Sequence, residues 1–171
     1  MEILRNLNTP YLMIRNTMTT ENNAHTVTCQ MLIRKPAKVV FEAIIDPRIT
    51  TNFWFTKSSG RLETGKTVTW EWEMYNASAE VRVGEIIQNR RIAMEWGDPS
   101  TTVVFELEAY TPEQTYVVIR HFGFHETGDA LIAALKDSTG GFTSLLDGMK
   151  AYLEHGIKLN LTGDKYVQKP E

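Results

Sequence analysis

The sequence is short of several things, and each shortage closes off a class of protein. It holds one cysteine, Cys29, among 171 residues, so no internal disulfide can form and a reducing compartment is expected. No apolar run approaches the roughly 18–20 residues that a membrane-crossing helix needs. Residues 1–25 have neither the apolar core nor the small-residue cleavage site of a secretory signal, which points to a cytoplasmic location. Lys and Arg number 18 against 21 Asp and Glu, a net charge of −3. Nucleic acid would call for clustered basic residues, so neither nucleic acid nor membrane is an expected partner. His25, His121, His125 and His155 show no close ligand spacing, and no metal or other cofactor is expected. His121 and His125, with Glu126, come nearest to a cluster. No G-x-S-x-G elbow stands in the sequence and no phosphate loop is expected.

What is present reads as one ordinary globular domain. Hydrophobic residues make up 42% and charged residues 23%, and this length buries about 70% of the unfolded surface. Residues 1–25 lack a sustained period, carry a second methionine at Met18, and read as a loosely ordered extension. The domain is expected over 26–158, with a tail over 159–171. Residues 27–34 are β-branched and apolar enough for a strand. Pro36 then opens a helix with Val40, Phe41, Ile44 and Ile45 on one stripe, and Asp46-Pro47 stops it.

Period-two alternation takes over, as in a half-buried antiparallel sheet. Val68, Trp70, Trp72 and Met74 share one face, opposite Thr67, Thr69, Glu71 and Glu73. Val81 and Val83, then Met94 and Trp96, then Phe105, then Ile119 and His121 continue the inward set. Spacings of 8–14 residues mean hairpins. A short helix is expected over 130–136, with a break at Gly140-Gly141 before a longer one. In that second helix Phe142, Leu145, Leu146, Met149 and Leu153 form the apolar stripe. Thr143, Asp147, Lys150 and Glu154 take the opposite side, and Gly156 caps the end.

The order strand, helix, six strands, long helix resembles the helix-grip fold of the START-like (SRPBCC) superfamily. This is an α+β class in which a curved antiparallel sheet wraps around a long C-terminal helix. The stretches PAKVVFEAIIDP (36–47), GKTVTWEWE (65–73), VRVGEIIQNRRIAMEW (81–96), TYVVIRHFGF (115–124) and GFTSLLDGMKAYLEHG (141–156) resemble one branch. That branch is the domain of the activators of the heat-shock-protein-90 ATPase and their bacterial homologues. The resemblance covers about residues 27–157, and Phe142 stands where that branch usually has tryptophan. It implies ligand carriers, co-chaperone domains active in stress response, or more distantly polyketide cyclases, and fold alone does not choose among them.

Such a fold leaves a space between sheet and helix. Trp70, Trp72, Met74, Met94, Trp96, Phe105, Ile119, His121, Phe142, Leu145 and Met149 are the expected lining. These side chains either surround an apolar guest or fill the space themselves. His121 is the one titratable inward residue, a candidate to orient a polar group or to serve as an acid or base. Phe53, Trp54 and Phe55 cannot all face inward from one strand, so they are placed at the pocket entrance. The expected function is non-catalytic binding of a small hydrophobic or aromatic molecule, by a monomer or homodimer. The alternatives are a chaperone-associated interaction module and a cyclase-like enzyme using His121.

Overall fold

The computed structural model describes residues 25–165. The expectation of a removable extension falls almost wholly on residues outside that range. Strand β1 (Val27–Ile33) is followed by helices α1 (Ala37–Ile45) and α2 (Pro47–Thr50). Then come β2 (Lys57–Ser58), β3 (Thr67–Trp72), a 3-10 turn (Glu73–Tyr75), β4 (Ala77–Ile87), β5 (Arg91–Trp96), β6 (Thr101–Thr111) and β7 (Gln114–Phe122). The chain ends in α3 (Gly128–His155) and a short α4 (Leu161–Asp164). The seven strands form one sheet in the order β1-β7-β6-β5-β4-β3-β2, every pair antiparallel. This is the helix-grip arrangement.

Register brings the inward residues together. Ile92 pairs with Phe105, and Phe105 in turn with Ile119. Val103 lies between Met94 and His121. Because side chains alternate along a strand, one in-register face becomes a continuous apolar surface. Val40, Phe41, Ile44 and Ile45 of α1 and Phe142, Leu145, Leu146 and Met149 of α3 are buried in the same core. The α1 stripe ends at Asp46, whose carboxylate accepts the amide of Arg48 and so caps α2 across Pro47.

Three expectations are corrected, and one is filled in. The two C-terminal helices are one, running unbroken through Gly140 and Gly141. Two interior glycines cost about 1 kcal/mol each in helix propensity, which burial of Phe142, Leu145, Leu146 and Met149 at roughly 1.5–3 kcal/mol apiece outweighs.

Lys150 and Glu154, expected opposite the apolar stripe, are tied to strand β1. Lys150 Nζ donates to the Leu32 carbonyl at 2.8 Å and to Glu154 Oε1 at 2.6 Å. Glu154 also accepts the Arg34 amide at 2.7 Å. The pair therefore closes the backbone groups at the end of edge strand β1. Met74 leaves the inward face, because β3 gives way to the 3-10 turn at Glu73, so the strand parity fails there. Residues 159–165 are not a bare tail: α4 returns to the domain, and the Tyr75 hydroxyl donates to the Thr162 carbonyl. Gly156, at φ 69°, caps α3 as expected, its amide reaching the carbonyls of Ala151 and Tyr152.

Candidate functional site

Between the β3–β4–β5 end of the sheet and the middle of α3 the packing opens into a cleft of about 270 Å³. Trp54, Trp72, Trp96, Ala77 and Phe142 line its apolar part, and Tyr75, Asp137, Ser138, Gly141, Ser144, Thr162 and Lys165 the remainder. The rings of the aromatic wall pack against one another. Trp96 stacks on Phe142 with centroids 5.9 Å apart, and Trp72 meets Trp96 edge-on at 6.3 Å. Trp54 lies within 4.7 Å of Trp70 and 6.1 Å of Trp96. Offset and edge-to-face pairs of this kind add about 0.5–1.5 kcal/mol each beyond their buried area.

The cleft gathers only part of the expected lining. Trp72, Trp96 and Phe142 are on its wall. Trp70, Met94, Phe105, Ile119, Leu145 and Met149 are all at or below 1% exposure and sit behind it as solid core. Met74 borders a separate small hollow with Asn160 and Leu161. The entrance expected from Phe53, Trp54 and Phe55 is corrected as well, since all three are buried. The chain from α2 toward β2 runs over the core rather than along a strand, so strand parity does not apply. Trp54 belongs to the cleft wall, Phe55 stacks on Trp70 at 4.7 Å, and Phe53 faces Tyr152 at 6.1 Å.

His121 stands beside the cleft behind Ser138. It is 5% exposed, with Nδ1 2.7 Å from Ser138 Oγ and Nε2 2.7 Å from Thr101 Oγ1. Burial lowers its pKa to about 4, against an opposing pull from the Glu126 charge, so it is neutral at ordinary pH. The His125 ring turns instead to the Ser100 carbonyl. Among the described residues no group of three or more His, Cys, Asp and Glu is placed to hold a metal ion.

Sequence reasoning missed the polar side of the cleft. Asp137, Gly141 and Ser144 recur at i, i+4 and i+7, the signal of one helix face, but the expected break at Gly140-Gly141 concealed it. Tyr75, Thr162 and Lys165 come from elements with no periodic signal. Residues 60–67 read GRLETGKT, the letters of a phosphate loop that had not been expected. The structure leads them into strand β3, not a helix, so the N-terminal helix amides that hold phosphate are missing. Lys66 is engaged with Glu63 at 2.8 Å.

Fold and cleft together define a helix-grip domain with an aromatic-walled hollow under its long helix. The profile of the Activator of Hsp90 ATPase homolog 1-like protein family matches residues 34–154, and the chain belongs to that family. A crystal structure of a protein from Staphylococcus saprophyticus is 31% identical, with a TM-score of 0.70 over 79% of this chain and 96% of that one. The solution structure of the Aha1 dimer from Colwellia psychrerythraea is 20% identical, with a TM-score of 0.66 over 77% of this chain and 98% of that one. A protein from the dynemicin biosynthetic locus is 18% identical, with a TM-score of 0.65 over 78% of this chain and 48% of that one. The last two likenesses are of fold alone. No curated protein matches the sequence. Among the described residues no helix is long and apolar enough to cross a membrane.

Proposed function

We propose that the domain binds a small aromatic or hydrophobic molecule in the cleft between the sheet and α3, without transforming it. The observation that carries this reading is a hollow of about 270 Å³ walled by Trp54, Trp72, Trp96 and Phe142 inside an otherwise close-packed interior. An engineered apolar cavity of roughly 150 Å³ already takes up benzene, so this one has room for a two-ring guest.

A chaperone-associated interaction module is the second reading, favoured by the family to which the chain belongs. Its docking surface is not the 53–55 segment, which is buried. On the outer sheet face Arg91 and Arg120 both pair with Glu106, at 2.9 Å and 2.7 Å, leaving a charged surface for a partner rather than an apolar one. A cyclase-like role for His121 draws little support, because both ring nitrogens are engaged by hydroxyls and the low pKa makes a weak base.

Native mass spectrometry of the purified protein, followed by titration with apolar probes, tests the proposal. Saturable quenching of tryptophan fluorescence at one-to-one stoichiometry is expected, with a raised unfolding midpoint, since a ligand of the native state stabilises it by mass action. A broad probe panel that moves neither signal would defeat the ligand-site reading and leave the interaction module.

A further inference from the structure

We propose that the cleft selects an aromatic ligand bearing a hydrogen-bond donor, a phenol-type hydroxyl or an aryl N–H, and that Ser138 is the group that accepts it. This rests on the reading of the cleft as a ligand site and names the ligand class. The argument is a count of hydrogens.

Thr101 Oγ1 donates to the Trp96 carbonyl at 3.3 Å and also stands 2.7 Å from His121 Nε2. A threonine hydroxyl has one hydrogen. With that hydrogen on Trp96, its oxygen can only accept from the ring, so Nε2 carries the proton. Neutral imidazole then leaves Nδ1 bare, and Nδ1 takes the hydrogen of Ser138, whose Oγ is 2.7 Å away. The opposite tautomer also makes both ring bonds but strips the Trp96 carbonyl of its hydroxyl partner. The Nε2–H form is therefore assigned, on the network that satisfies the most groups.

Ser138, which lines the cleft, thus has lone pairs left to offer and no hydrogen. Two other lining hydroxyls have also spent their hydrogens, Ser144 Oγ on the Gly140 carbonyl at 2.9 Å and Tyr75 on the Thr162 carbonyl, whereas the Thr162 hydroxyl and the indole N–H groups can donate. Asp137 adds a carboxylate, which also only accepts. Among the lining residues Lys165 alone is cationic. An ether or ketone oxygen brought to Ser138 meets lone pair against lone pair. A hydroxyl or N–H instead completes a directed chain from ligand to Ser138, from Ser138 to His121, from His121 to Thr101, and from Thr101 to the Trp96 carbonyl. Each link polarises the next.

The test compares a naphthol, its methyl ether, naphthalene and a naphthoate by calorimetric titration of the full chain. The naphthol is expected to bind about three- to tenfold more tightly than the ether, the worth of one hydrogen bond. Ser138→Ala should erase that preference, so that the naphthol and its ether bind alike, and Ser138→Thr should retain it. Independently of any ligand or variant, NMR of nitrogen-labelled histidine should find His121 as the Nε2–H tautomer at neutral pH. Equal affinities for naphthol and ether, tightest binding of the naphthoate, or an Nδ1–H tautomer would each overturn the donor assignment while the cleft remained a binding site. Failure of all four probes to bind would instead remove the ligand site itself, and this assignment with it.

Discussion

Gly141 and Gly148 stand two turns apart on α3, and they describe two different interiors. A Cβ added at Gly148 would lie 3.0 Å from the Phe53 carbonyl oxygen and 3.2 Å from Phe53 Cβ. A Cβ at Gly141 would meet nothing within 4 Å. At the first the helix is pressed onto the segment leaving α2, and at the second it faces the cleft. Both ends of the space are walled by apolar residues. The difference is that α1 and the 50–55 segment plug one end, with Val40, Phe41, Ile44 and Phe55 all buried there. At the other end, among the described residues, the ring of Trp54, α4 and the 3-10 turn border the cleft without filling it. Close packing is thus a property of what sits opposite a face, and hydrophobicity alone does not supply it.

Emptying the packed end should have the largest effect. Met149→Ala and Leu145→Ala are each expected to cost about 2–5 kcal/mol through the cavity they leave, read from denaturant titration. Costs near zero would mean that this end is as open as the cleft.

The next largest effect concerns His121, at the boundary between the two ends. Its folded pKa of about 4 lies below the usual 6.5, so the unfolded chain takes up the proton first. Its contribution is complete above about pH 6.5 and is lost as pH falls toward 4, amounting to about 3 kcal/mol. His121→Gln should flatten the stability profile in that window. Taking the difference between the two curves cancels carboxylates such as Asp46, which its hydrogen bond with Arg48 holds below the ordinary range.

Smaller still is Gly148→Ala, expected to destabilise by about 1–2 kcal/mol, because overpacking against a backbone carbonyl exceeds the gain in helix propensity. Gly141→Ala should go the other way, stabilising by up to about 1 kcal/mol. Thermal midpoints of the two variants, measured side by side, read the contrast directly. If both fall together, the helix is not open at Gly141.

The fold was legible because it rests on local patterns. Alternation over β3 to β7 places Trp70, Met94, Phe105 and Ile119 on one face, and the 3.6-residue stripe does the same for Leu145 and Met149. The cleft was less legible. Met74 lost its face where the strand became a 3-10 turn. Trp54 gained one from a segment with no period. Ser138 and Ser144 were hidden by glycines that ordinarily interrupt helices but here lie in the middle of one.

The sequence by itself determined the first strand and helix, the antiparallel pairing of the hairpins from β3 to β7, and most of the side chains that turn toward the long helix. All of these follow from periods of two and 3.6 residues and from turn chemistry within a few positions. Only the tertiary structure decided that six of the inward residues are consumed by packing while Trp54, Trp72, Trp96 and Phe142 border a hollow. It also decided that α4 folds back to Tyr75, and that His121 spends both nitrogens on Thr101 and Ser138. The reason is physical: a period reports the direction in which a side chain points. Whether the space in front of it is filled depends on residues distant in the sequence, brought opposite by the sheet register and by the line of one unbroken helix.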